Sequence, residues 1–179
     1  MDITREELNV LNFYRASELQ GGLLLAGLSA RVRDPELMIQ LAHHGAEEVV
    51  HSQLWAQTIV AVGARPWPTS DTYQSRYAAA LGHPTGLLDV LALTQVFERR
   101  VYRHFTEHLR RPGTHPAVQA TLRRMLDDER GHLLWVKRWL DRQAESRPER
   151  VRETMRRYVE VDRRVYDVLT AELGWKRAA

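Results

Sequence analysis

Apolar positions recur at intervals of three and four residues along most of the chain, the pattern of helices that turn one face to a core. Five long helices are predicted. The first runs from about Thr4 to Val32, with an inward line of Leu8, Leu11, Tyr14, Glu18, Gly21, Leu25, Leu28 and Val32. Asp34, Pro35 and Glu36 supply a cap, a first-turn proline and an acidic first turn for a second helix that reaches about Val62. The turn between them is short, so the two are antiparallel neighbours. The second inward line is Leu37, Leu41, His44, Glu48, His51, Trp55, Thr58 and Val62, and Gly63, Pro66 and Pro68 end it.

The stretch from Gly63 to Pro84 is too long for a tight turn and too rich in Pro, Ser and Gly for a full helix. It is long enough to cross from one end of a bundle to the other, with a short helix expected at Ser75 to Leu81. A third helix begins near Thr85 and stops before Pro112 and Gly113, on the line Leu88, Leu91, Gln95, Glu98, Val101 or Tyr102, Phe105 and Leu109. The fourth, Pro116 to about Gln143, runs through Val118, Leu122, Met125, Glu129, His132, Val136 and Trp139. The fifth, Pro148 to Leu173 and closed by Gly174, repeats Val151, Met155, Tyr158, Val165 and Leu169 beneath many arginines. It shows no pair of ligand-type residues on its apolar line and reads as packing or oligomer surface.

Carboxylates and imidazoles interrupt four of these lines at mid-helix. Glu-x-x-His alone is a weak motif, and with fourteen Glu and eight His two copies are unremarkable as a count. Position is what carries weight. Glu18, then Glu48 with His51, then Glu98, then Glu129 with His132 all fall on faces that should be apolar. Burying an ionised carboxylate without a partner costs several kcal/mol or more. Four at one depth carry a formal charge of about −4, which two divalent cations offset. The order Glu, Glu-x-x-His, Glu, Glu-x-x-His is that of dinuclear iron or manganese sites in four-helix bundles. Hard oxygen with two imidazoles suits iron, manganese or, less selectively, zinc. The alternative is a buried hydrogen-bond network without metal.

Composition narrows the picture. With 179 residues, 44% hydrophobic and 27% charged, the chain has room for one sizeable core and reads as soluble and globular. The net charge of +3 is mild, and Arg concentrates only between Arg147 and Arg164, most simply a solvated helix face, so nucleic-acid binding is not expected. The absence of cysteine removes disulfides, thiolate sites and any built-in iron–sulfur or rubredoxin-like carrier, so electrons must come from an external donor. No apolar run approaches membrane-spanning length and the N-terminus lacks a signal-peptide layout, so a cytoplasmic location without membrane is the expectation.

On the residues Glu18, EEVVH (Glu48, His51), Glu98 and DERGH (Glu129, His132), the chain resembles the ferritin-like di-iron proteins, including rubrerythrin and bacterioferritin. The resemblance covers about Asn9 to Leu140. It implies an all-α fold: a ferritin-like four-helix bundle over residues 1–143 with a long crossover between its second and third helices. An additional C-terminal helix over 144–179 would pack on the bundle or at an oligomer interface. It also implies a cofactor of two iron ions, with manganese or zinc as substitutes. Glu48 and Glu129 would bridge or flank the metals, Glu18 and Glu98 complete them, and His51 and His132 each ligate one. Two positions depart from the named relatives. Val101 stands where rubrerythrins carry a further carboxylate, and Val49 where bacterioferritins carry the haem-binding Met, so haem is not expected.

A metal-bound imidazole usually has its other N–H held by a carboxylate or carbonyl. The resemblance implies that Asp128 holds His51 and Glu47 holds His132. Tyr14 and Tyr102, one turn from Glu18 and Glu98, are candidates to bond a carboxylate or pass an electron, though such tyrosines are more often core. His44, on the second line, reads first as a hydrogen-bonded core histidine. His43, His83, His104, His108 and His115 lie off the lines or near ends. The leading expectation is a non-haem di-iron oxidoreductase acting on O2 or peroxide, of ferroxidase or peroxide-scavenging type, in a homo-oligomer with a dimer favoured. The alternatives are a di-iron oxygenase or hydroxylase with an organic substrate, iron storage or delivery, and a helical interaction module with structural metals.

Overall fold

The computed structural model describes residues 3–173. They form six helices: α1 (Arg5–Ser29), α2 (Pro35–Ala61), α3 (Tyr73–Leu81), α4 (Leu87–Arg110), α5 (Pro116–Ser146) and α6 (Pro148–Glu172). No strand occurs among the described residues, and the all-helical fold is that of a ferritin-like helical bundle. The expected short helix in the crossover is α3, so the third, fourth and fifth predicted helices are α4, α5 and α6.

Local chemistry sets the boundaries. Thr4 caps α1 by accepting from Glu7 N at 3.1 Å, and Asp34 caps α2 by accepting from Leu37 N at 3.1 Å. The first helix stops at Ser29 rather than Val32, because residues 30–34 are spent on reversing the chain and Pro35 holds Asp34 in an extended conformation. At the other end, α5 runs past Gln143 to Ser146 and stops at Arg147, the residue before Pro148. Gly63, at φ 80°, takes the left-handed turn that ends α2. Gly174, expected to close the last helix, lies outside the described residues.

Contacts divide the chain into two compact units, residues up to 75 with 112–125, and 76–111 with 126 onward. In the first unit α1 and α2 pack along each other. A Cβ on Gly22 would lie 2.7 Å from Gly45 O, and one on Gly45 would lie 2.9 Å from Gly22 O, so the two backbones touch there. The crossover is tied along α1. Trp67 N donates to Asn12 Oδ1 at 3.2 Å, Arg15 Nη2 to Trp67 O at 2.8 Å, and Tyr73 N to Ser17 Oγ at 3.2 Å. The Oγ1 atoms of Thr58 on α2 and Thr121 on α5 are 2.6 Å apart. Leu11, Leu41, Trp55, Ile59 and Leu122 are fully buried.

The second unit packs α6 on α4. Val101, Phe105, Val136, Val161 and Leu169 are buried there. Also buried is Asp162 of α6, which accepts from Arg100 Nε at 3.0 Å, from Arg100 Nη2 and from the Tyr77 hydroxyl. The inward line of α6 therefore contains one carboxylate, paired with donors from α4 and α3, on a face that packs as expected.

Candidate metal centre

The expected ligand positions are all buried. Glu18, Glu48 and Glu98 are each 2% exposed, His51 1%, Glu129 0% and His132 2%. Carboxylates on three- and four-residue spacing with Leu and Val are carried inward by the same helical period that buries those neighbours. All seven residues of the predicted α5 line are buried, and on α2 only Val62 at the end is half-exposed. On α1 the ends of the line are half-buried, and Gly22 rather than Gly21 is the buried glycine. On α4 Val101 takes the inward place and Tyr102 is half-buried.

Within the first unit, Glu18 from α1 and Glu48 and His51 from α2 present ligand-type atoms within 4.8 Å of one another. The Gly22 to Gly45 contact makes this possible, since a Cβ on Gly22 would also stand 3.1 Å from Glu48 Cβ. His44 Nε2 lies 3.0 Å from Glu48 Oε1, so the core histidine is hydrogen-bonded, and its partner is a candidate ligand. Tyr14, 2% exposed and one turn before Glu18, packs on Trp55, one turn after His51, with ring centroids 5.1 Å apart.

Within the second unit, Glu129 Oε2 lies 3.5 Å from His132 Nδ1 on α5. Glu98 of α4 and His132 present ligand-type atoms within 4.8 Å of each other. Each unit thus holds a buried set of carboxylate and imidazole donors. Such a donor set fits a metal ion, because hard oxygen and imidazole nitrogen are what iron, manganese and zinc bind, and buried carboxylates need a cation to remain ionised. Of the outer candidates, Asp128 is half-buried, and Glu47 is half-buried with Oε2 3.0 Å from His43 Nδ1.

Three features escaped the sequence reading. His104 and His108, placed off the line, are 2% and 1% exposed. Burial, then the neighbouring His108 and Arg100, lowers the His104 pKa from 6.5 to about 3, so its ring stays neutral. It meets the Tyr166 ring at right angles, with centroids 5.6 Å apart, and the Arg100 guanidinium sits 3.9 Å over the same ring. The third feature is Asp162 with Arg100 and Tyr77. The missed signal was a second periodic line on α4, Val90, Thr94, Phe97, Val101, His104 and His108, all buried. A cavity of about 530 Å³ also opens between α1 and the crossover, lined by Leu19, Leu23, Pro66, Trp67 and Pro68 among others. None of the six expected ligands borders it.

Comparison with curated proteins and with solved structures gave no match in either case. The family model described as ubiquinone biosynthesis protein COQ7 matches residues 9–134, a span that contains all six expected ligands. That family is a di-iron family within the superfamily inferred from the sequence, and it favours the organic-substrate alternative over iron oxidation or peroxide removal. With most of its length matched, the chain belongs to the COQ7 family of ferritin-like di-iron carboxylate proteins.

Proposed function

We propose that this protein is a di-iron hydroxylase acting on an intermediate of ubiquinone biosynthesis. The observation that carries the reading is the family match over residues 9–134, which embraces every candidate ligand. The balanced reaction is insertion of one atom of O2 into a C–H bond of the substrate and reduction of the other to water, with two electrons and two protons consumed. A bound iron pair supplies the oxygen-activating redox chemistry.

The chain's own residues do the rest. Glu18, Glu48 and His51 of the first unit and Glu98, Glu129 and His132 of the second are the residues that would hold the iron pair, their carboxylates offsetting its charge. A carboxylate that takes the other N–H of a metal-bound imidazole fixes the tautomer that presents a nitrogen to metal, the part the family resemblance gives to Asp128 and Glu47. Trp55 and Tyr14, both buried, exclude water from the first cluster, and that strengthens every charge interaction there. With no cysteine in the chain, the two electrons come from an external donor.

The test is reconstitution with Fe(II), followed by O2, a reductant and a ubiquinone precursor that lacks one ring hydroxyl. Two irons per chain and a product carrying one oxygen from isotope-labelled O2 are expected, and Glu129→Ala should lose both. Rapid peroxide consumption with no organic product would replace this reading with the peroxide-scavenging one.

A further inference from the structure

His44 is one of the most deeply buried polar residues of the chain, at 1% exposure. It stands one turn before Glu48 on α2, as His51 stands one turn after. Axial offsets of four and three residues at about 1.5 Å each place the two imidazoles roughly 6 Å and 4.5 Å to either side of the Glu48 level. Were Glu48 to bridge two ions with one oxygen on each, an imidazole on each side of it along the helix would face a different ion.

The side-chain contact between His44 and Glu48 agrees with this. Two donors bound to one ion through bonds of about 2.1 Å stand roughly 3.0–3.4 Å apart, from right-angled to tetrahedral coordination. His44 Nε2 and Glu48 Oε1 are separated by 3.0 Å. A buried imidazole at that place sets a nitrogen donor beside the carboxylate of a candidate ligand.

We infer that His44 is a third imidazole ligand of the centre, bound through Nε2 to the ion opposite the one held by His51. The inference rests on the dinuclear reading above and alters its donor set from four carboxylates and two imidazoles to four and three. Each α2 imidazole then serves one ion, and α2 alone spans the pair.

Loss of affinity on its own does not separate a ligand from a hydrogen-bond partner, since removing an outer partner already costs about 10–100-fold in metal binding. Counting imidazoles does. The intact protein is loaded with Co(II), the bound metal is quantified, and the strongly shifted, solvent-exchangeable imidazole N–H signals are counted by proton NMR. Two Co(II) per chain with three such signals are expected, and His44→Gln should remove one signal with helix content unchanged. Two signals in the intact protein, or three that survive in His44→Gln, overturn the inference and leave the dinuclear reading standing. Fewer than two Co(II) per chain overturns that reading and the inference with it.

Discussion

Asp162 shows how much one residue off the expected pattern can hold. Its carboxylate takes two guanidinium donors from Arg100 and one phenol donor from Tyr77, which ties α6 to α4 two residues beyond Glu98. Breaking a buried pair by removing one partner leaves the other charge uncompensated and costs about 3–5 kcal/mol. Asp162→Ala should lose stability on that scale in urea titration, and Asp162→Asn, which keeps an acceptor, should lose less. His104 gives a second residue-scale expectation. Its folded pKa of about 3 lies below the unfolded 6.5, so the unfolded chain binds the extra proton and the folded one does not. Its contribution is therefore complete above pH 6.5 and is lost as the pH falls toward 3. Between about pH 7.5 and about pH 5 this amounts to about 2 kcal/mol. Denaturation of the metal-free protein at both pH values should show a deficit that His104→Gln reduces by that amount.

At the scale of the element, legibility followed the number of faces a helix buries. The α5 line could be read completely because that helix turns one stripe inward, and the stripe's carboxylate and imidazole stood out against Leu, Met and Val. On α4 two stripes are buried, and the reading of one stripe left His104 and His108 without a role. The charged partner of Arg100 lay on α6, 62 residues away, and no periodicity on either helix announces such a pairing. Gly22 was missed for a related reason: a glycine's task depends on the backbone opposite it, here Gly45 O at 2.7 Å from the added Cβ. The neighbour is backbone and cannot swing aside, so Gly22→Ala must push α1 from α2. A destabilisation of about 1–3 kcal/mol is expected from overpacking. Because Glu18 rides on α1 and Glu48 on α2, metal affinity should fall as well, whereas Gly27→Ala, with open space around its Cβ, should leave it unchanged. Isothermal titration of the two variants with Zn(II) checks this, and equal affinities would detach the glycine contact from the centre.

For the molecule as a whole, the burial of the six candidate positions was legible from pattern and charge, while the reaction was not, because the same residue order serves oxidation of iron, reduction of peroxide and hydroxylation. What remains open to measurement without any substrate is the electrostatic claim itself. Carboxylates buried to 0–2% exposure cost the metal-free protein stability, as unpaired charge or as enforced proton uptake, and hold cations in the loaded one. A ligand that binds only the folded state at a thousand times its Kd stabilises by about 4 kcal/mol, which for a chain of this size raises Tm by roughly 8–16 °C. Glu129→Gln should move the two forms in opposite directions. It removes a buried negative charge, so the metal-free protein should melt higher than the parent, and it removes a ligand, so the gain on adding Mn(II) or Zn(II) should shrink to a small fraction. A purely hydrogen-bonded network predicts the reverse: a Gln that breaks the network melts lower, and metal moves neither protein. Differential scanning calorimetry of parent and variant, each with and without metal, decides between the two by the sign of one shift.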